Sequence, residues 1–160
     1  MKTLLAAAAG IALLAGATTA SAENYASIGY SQVSADDTGF DVDVGAVTGR
    51  VGVNVNPWFG VEGEASLGVK DDAGVKLKHE IGVFAVARAP LGEGFTVLGR
   101  VGYADAKFEA GSASDSGGGV AYGVGAEYGF GVNGVRLDYT KYDFDGTDGD
   151  AIALSYVRKF

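Results

Sequence analysis

Side chains alternate with a period of two along nearly the whole stretch from Glu23 to Phe160, with hydrocarbon on one parity and charge on the other. That period belongs to β-strands, whose successive side chains point to opposite faces. Eight alternating segments can be drawn: Asn24–Ser34, Phe40–Val55, Trp58–Val69, Val75–Ala89, Phe95–Phe108, Gly119–Phe130, Gly134–Phe144 and Asp150–Phe160. The alternation therefore predicts an all-β chain.

The connections between segments alternate in kind. Asn56-Pro57, Pro90 with Gly92 and Gly94, and Gly131-Val132-Asn133-Gly134 are tight turns, where a missing ladder donor or a positive φ is tolerated. The others are polar: Ala35-Asp36-Asp37-Thr38-Gly39, Asp71-Asp72-Ala73-Gly74, the Ser- and Gly-rich stretch 110–118, and Asp145-Gly146-Thr147-Asp148-Gly149. An antiparallel meander with short turns on one rim and polar loops on the other gives this pattern.

The two faces decide the solvent. One parity carries Ile28 and Tyr30; Val47, Val51, Val53 and Val55; Phe59, Val61, Leu67 and Val69; Ile81 and Val83; Val101 and Tyr103; Tyr122, Val124 and Tyr128; Leu137 and Tyr139; Ile152, Leu154 and Tyr156. The other carries small residues and the charges Arg50, Glu62, Glu64, Glu80, Arg88, Arg100, Glu127, Arg136 and Asp138, with Lys159 balancing the signs. A soluble barrel puts its apolar residues inside. Inverting that arrangement in water would bury nine charges in a core or expose every Val, Leu and Tyr. In lipid, the apolar parity faces out and the charges face in. Each Arg or Lys on a lipid face at mid-bilayer would cost about 2–4 kcal/mol. The expectation is an eight-stranded antiparallel up-and-down transmembrane β-barrel. Eight strands leave an interior that side chains can fill, so these charges are expected to form a structural ion-pair network that plugs it.

Residues 1–22 read as a cleaved secretory signal peptide: Lys2 as the positive n-region, the apolar run Leu4–Ala15, and the cleavage motif Ala20-Ser21-Ala22. The barrel domain is then 23–160. The full chain has a net charge of −8, and losing Lys2 makes it −9. This acidity argues against nucleic acid as a partner. There is no cysteine, which excludes a disulfide framework and a thiolate metal site.

Candidates for chemistry are few. His79 is the sole histidine, on the Ile81 parity, while Ser66 and Glu80 lie on the other face, so a hydrolytic constellation is not expected. The stretch Asp143–Asp150 has Thr147, Asp148 and Leu154 where a calcium loop needs an acid, Gly and Glu. Gly117-Gly118-Gly119 lacks the helix and the Lys-Ser/Thr of a phosphate loop. Lys107 and Lys141 share the lipid-face parity near the loop rim and are candidates to meet lipopolysaccharide phosphates, their stems snorkelling along the apolar surface.

Two motifs and the chain's ending carry a family resemblance. Gly45-Ala46-Val47-Thr48-Gly49-Arg50-Val51-Gly52 and Asn56-Pro57-Trp58-Phe59-Gly60-Val61-Glu62-Gly63-Glu64 are similar to the second and third strands of the opacity-protein/OmpA-like "porin family" of Gram-negative outer-membrane barrels. Ser155-Tyr156-Val157-Arg158-Lys159-Phe160 resembles the β-signal of that family. The resemblance implies an outer-membrane location with extracellular loops and periplasmic termini. It implies Tyr156 and Phe160 as the assembly signal, and the barrel assembly machinery, periplasmic chaperones and outer-membrane lipid as partners. Arg158 departs from it, standing where a hydrophobic residue is usual, and no peptidoglycan-binding domain is expected after the barrel.

The leading expectation is thus a monomeric structural or surface-interaction barrel with no cofactor and no enzyme activity. A small-solute channel is the alternative, and a lipid A-modifying enzyme a more distant one.

Overall fold

The computed structural model describes residues 23–37, 40–70, 75–110, 113–144 and 147–160. These form eight strands: β1 Glu23–Asp37, β2 Phe40–Asn56, β3 Phe59–Lys70, β4 Val75–Gly92, β5 Phe95–Ala110, β6 Ala113–Phe130, β7 Asn133–Phe144 and β8 Thr147–Lys159. Each strand pairs antiparallel with the next, and β8 returns to β1, closing the barrel. Closure leaves no sheet edge, which is what a bilayer demands of strands. Among the described residues no helix is long and apolar enough to cross a membrane.

The seam is held at the end that carries the termini by two backbone hydrogen bonds. Phe160 N donates to Asn24 O at 2.9 Å, and Asn24 N donates to Phe160 O at 3.2 Å. On the same rim, Asn56 Oδ1 accepts from the backbone N–H groups of Trp58 (2.8 Å) and Phe59 (2.9 Å), fixing the β2–β3 turn. In the β4–β5 turn Glu93 and Gly94 both have positive φ, the geometry that matches a hairpin to the twist of its strands.

Three details differ from the sequence reading. The stretch read as a loop at 110–118 is largely strand, because β6 starts at Ala113 and pairs with β5 out to Ala110↔Ala113. Pro90 lies inside β4, in a pair with Thr96 next to a register shift, where its missing N–H is accommodated. Val53 has the outer parity yet is buried, beside the register shift at Asn54/Asn56.

The apolar parity faces outward, as its alternation implies. Ile28, Phe59, Leu67 and Val124 are each 61 % exposed, and Tyr103 is 60 % exposed. A continuous belt of this kind is not tolerated in water. In hydrocarbon it is the stabilising surface.

Candidate functional site: the barrel interior

All nine mid-strand charges singled out in the sequence are buried inside: Arg50, Glu62, Glu64, Glu80, Arg88, Arg100, Glu127, Arg136 and Asp138. Inward parity explains their shared location. Strand tilt and closure, which bring β2, β3, β5 and β7 together across the lumen, explain the pairs they make.

Six of them form a closed ring of alternating sign. Arg50 Nε pairs with Glu64, whose Oε2 takes Arg100 Nη1 at 2.9 Å. Arg100 Nη1 is also 3.4 Å from Glu62 Oε1, and Glu62 Oε2 pairs with Arg136 Nη1 at 2.6 Å. Arg136 Nε contacts Asp138 Oδ1 at 2.6 Å, and Asp138 Oδ2 returns to Arg50 Nη1 at 3.2 Å. Three guanidinium groups face three carboxylates, so the ring is neutral. Ser155 Oγ (3.0 Å from Arg50 Nη1), Tyr25 OH (2.8 Å from Glu62 Oε2) and Tyr142 OH (3.2 Å from Glu64 Oε1) take up further bonds. Such satisfaction is what makes buried charge tolerable.

Arg100 is held a second way. Its guanidinium lies over the Phe84 ring with its carbon 3.6 Å from the centroid, a cation–π contact in a desolvated place. Its Nε and Nη2 have no hydrogen-bond partner among the described residues, so the ring face stands in for one.

Nearer the turn rim lies a second group. Glu127 Oε1 accepts from Arg88 Nη2 (3.3 Å) and Lys159 Nζ (3.2 Å), and Lys159 also reaches Glu23 (3.7 Å). Arg88 sits over the Tyr25 ring at 5.9 Å. Glu80 is in neither group: its Oε2 accepts from Ser66 Oγ at 2.7 Å, and among the described residues it has no ion pair.

The interior is also more apolar than the parity reading allowed. Phe84, Val86, Leu98, Ala104 and Ala121 form one buried cluster with Tyr142, and Val44, Ala46, Leu77 and Ala106 form another, with Phe144 against both. Strong charges on the inward parity masked these hydrophobic neighbours on the same parity. Tyr25 was missed for a related reason. Its ring occupies the space opposite Gly52, where an added Cβ would overlap it. The pairing of an inward Gly with an inward Tyr on the adjacent strand is the sequence signal for that fit.

The other candidates are not drawn together. His79 is half-buried with outward parity in the pair His79↔Lys107, whereas Ser66 and Glu80 are inside. Lys107 and Lys141 are on the outer parity, Lys141 exposed. The centre of the acidic stretch, 145–146, lies outside the described residues, as does 1–22. Among the described residues no cluster of acids or His suits a metal ion. Arg158, the departure from the β-signal, faces outward and donates to Asn133 Oδ1 at 3.0 Å, the same oxygen that Tyr156 OH reaches at 2.5 Å.

A closed eight-stranded barrel with an apolar exterior and an ion-paired interior defines the class: a small transmembrane β-barrel. The chain matches the family model for the outer membrane protein beta-barrel domain over residues 3–160, and it belongs to that family. Solved structures share the fold at low identity. The attachment invasion locus protein Ail of Yersinia pestis, solved with the heparin analogue sucrose octasulfate, aligns at 20 % identity with a TM-score of 0.67, over 88 % of this chain and 99 % of its own. Neisserial surface protein A aligns at 14 % identity and 0.63, over 86 % and 97 %. The N-terminal barrel of Pseudomonas aeruginosa OprF aligns at 12 % and 0.64, over 84 % and 97 %. No curated protein sequence matches the chain.

Proposed function

We propose that this outer-membrane barrel is a sealed scaffold whose work is done at its rim, as a structural or surface-interaction protein and not as an enzyme. The neutral six-membered ring carries this reading. It fills the lumen at mid-barrel with side chains already bonded to one another, so an ion crossing there would have to break several buried pairs at once.

In this reading residues 1–22 direct export and are cleaved after Ala22. The termini and tight turns are periplasmic and the polar connections extracellular. Tyr156 and Phe160 serve the assembly machinery, and Lys107 and Lys141 meet lipopolysaccharide phosphates. Ail was crystallised with a polysulfated ligand. The strand ends and connections of the polar rim carry Asp36, Asp37, Asp71, Asp72, Asp145 and Asp148, and the whole chain is at −8, so a soluble polyanion does not suit this rim. A basic protein surface suits this rim better.

Planar-bilayer recording of the refolded protein tests the sealed lumen. The expected result is no sustained conductance; a stable, large conductance would favour the channel reading. Lipid A of unchanged mass in cells with and without the protein is expected if no enzyme activity is present.

A further inference from the structure

Among the described residues Glu80 stands apart from every ion pair, yet it is buried at 5 % exposure. It ends a chain of hydroxyls that crosses four strands. Ser31 Oγ on β1 is 2.7 Å from Thr48 Oγ1 on β2, Thr48 Oγ1 is 2.9 Å from Ser66 Oγ on β3, and Ser66 Oγ is 2.7 Å from Glu80 Oε2 on β4. At the far end the Ala46 carbonyl oxygen lies 3.4 Å from Ser31 Oγ. The second oxygen, Glu80 Oε1, is buried without a hydrogen-bond partner among the described residues. Glu80 and all three hydroxyl residues line one small cavity of about 30 Å³, room for roughly two water molecules.

The charges around it are accounted for. From β3, Glu64 faces the cavity, already bonded to Arg50 of β2 and Arg100 of β5. From β7, Tyr142 donates its proton to Glu64. Among the described residues β1 and β8 contribute only Ser31, Val33, Ala151 and Ala153 to the lining, and β6 contributes nothing to it. Arg50, the one cation in the lining among the described residues, is bonded to Glu64, Asp138 and Ser155. An unpaired carboxylate in such a place is strongly disfavoured.

We propose that this cavity is a proton-binding site, in which Glu80 takes up one proton and the hydroxyl chain reverses to hold it. With Glu80 ionised, each hydroxyl donates toward it: Ser31 to Thr48, Thr48 to Ser66, Ser66 to Oε2. A hydronium ion in the cavity supplies the proton and is left as water. The proton comes to rest on Oε2, which now donates to Ser66. Ser66 then donates to Thr48, Thr48 to Ser31, and Ser31 to the Ala46 carbonyl. Every donor keeps an acceptor in both directions, and no bond between heavy atoms changes. One proton thus removes the uncompensated charge from a cavity that the apolar side chains of Leu77 and Ala106 also line. The site is independent of whether the rim binds a partner.

Infrared spectroscopy of the full folded barrel in lipid vesicles, in H₂O and in D₂O at neutral pH, tests this. A protonated-carboxyl band should be present and should shift on deuteration. It should vanish in Glu80→Gln. Ser66→Ala and Thr48→Val keep Glu80 but cut the chain, so either should move the band, and they assign it even if Glu80→Gln does not fold. The proposal is overturned if wild type shows no such band, if the band survives Glu80→Gln, or if neither chain-cutting variant moves it. It is equally overturned if the band is lost on adding sodium or potassium chloride at constant pH, since the site would then hold a metal cation.

Discussion

Glu62 shows how a single inward residue is committed. It takes Arg136 and Arg100 on its two oxygens and the Tyr25 hydroxyl besides. Glu62→Ala leaves Arg136 with Asp138 alone and Arg100 with Glu64 alone, and the lumen with one uncompensated positive charge; removing one partner of a buried pair costs about 3–5 kcal/mol. Urea unfolding in lipid vesicles should read a loss of that size. Lys78→Gln, which breaks the exposed 2.7 Å pair with Glu109, should cost less than about 1 kcal/mol. The sign and burial of Glu62 were legible in its parity. Its partners were not, since Arg136 is 74 positions away and reaches it only after closure. The same holds for Arg50 and Asp138, 88 positions apart. Alternation tells which face a charge takes, while contacts across the lumen depend on strand tilt, which the pattern does not encode.

At the scale of the strand, ladder pairing outweighs local propensity. The Ser- and Gly-rich residues from Ala113 onward read as a loop, but Phe108↔Asp115 and Lys107↔Ser116 extend the β5 register through them. The eight strands and both faces were legible because their alternation is long; their ends were not, because polar residues past the apolar belt no longer alternate. Two substitutions test the strand faces. Val124→Arg puts a charge on the outer face of β6, and urea unfolding should show a loss of about 2–4 kcal/mol if that face meets mid-bilayer. On the inner face of β2, Gly52→Ala sets a methyl group against the Tyr25 ring. Overpacking of this kind costs about 1–3 kcal/mol. Tyr25→Phe in the same background separates the displaced ring from the lost bond to Glu62: if the two changes are additive, the cost of Gly52→Ala comes from the ring and not from that bond.

For the whole molecule the decisive event is closure of β8 on β1. Twelve pairs, from Tyr25↔Lys159 to Asp36↔Asp148, make that seam, and the reciprocal bonds of Asn24 with Phe160 finish it. Phe160 contributes backbone to the seam and an apolar side chain, 71 % exposed, to the outer surface. Its backbone and its side chain can therefore be tested separately. Deleting Phe160 removes two backbone hydrogen bonds, each worth about 0.5–1.5 kcal/mol net. Protein refolded into vesicles without any assembly factor should thus lose only about 1–3 kcal/mol and keep the gel mobility difference between boiled and unboiled samples that marks a closed barrel. In cells the same deletion should deplete the folded form far more than that loss accounts for, if the terminal residue is read during assembly. Phe160→Ala keeps both backbone bonds and removes only the ring. A cellular defect as large as the deletion's, with near-normal refolding, would locate the recognised feature in the side chain. Equal defects in vesicles and in cells would locate it in the seam.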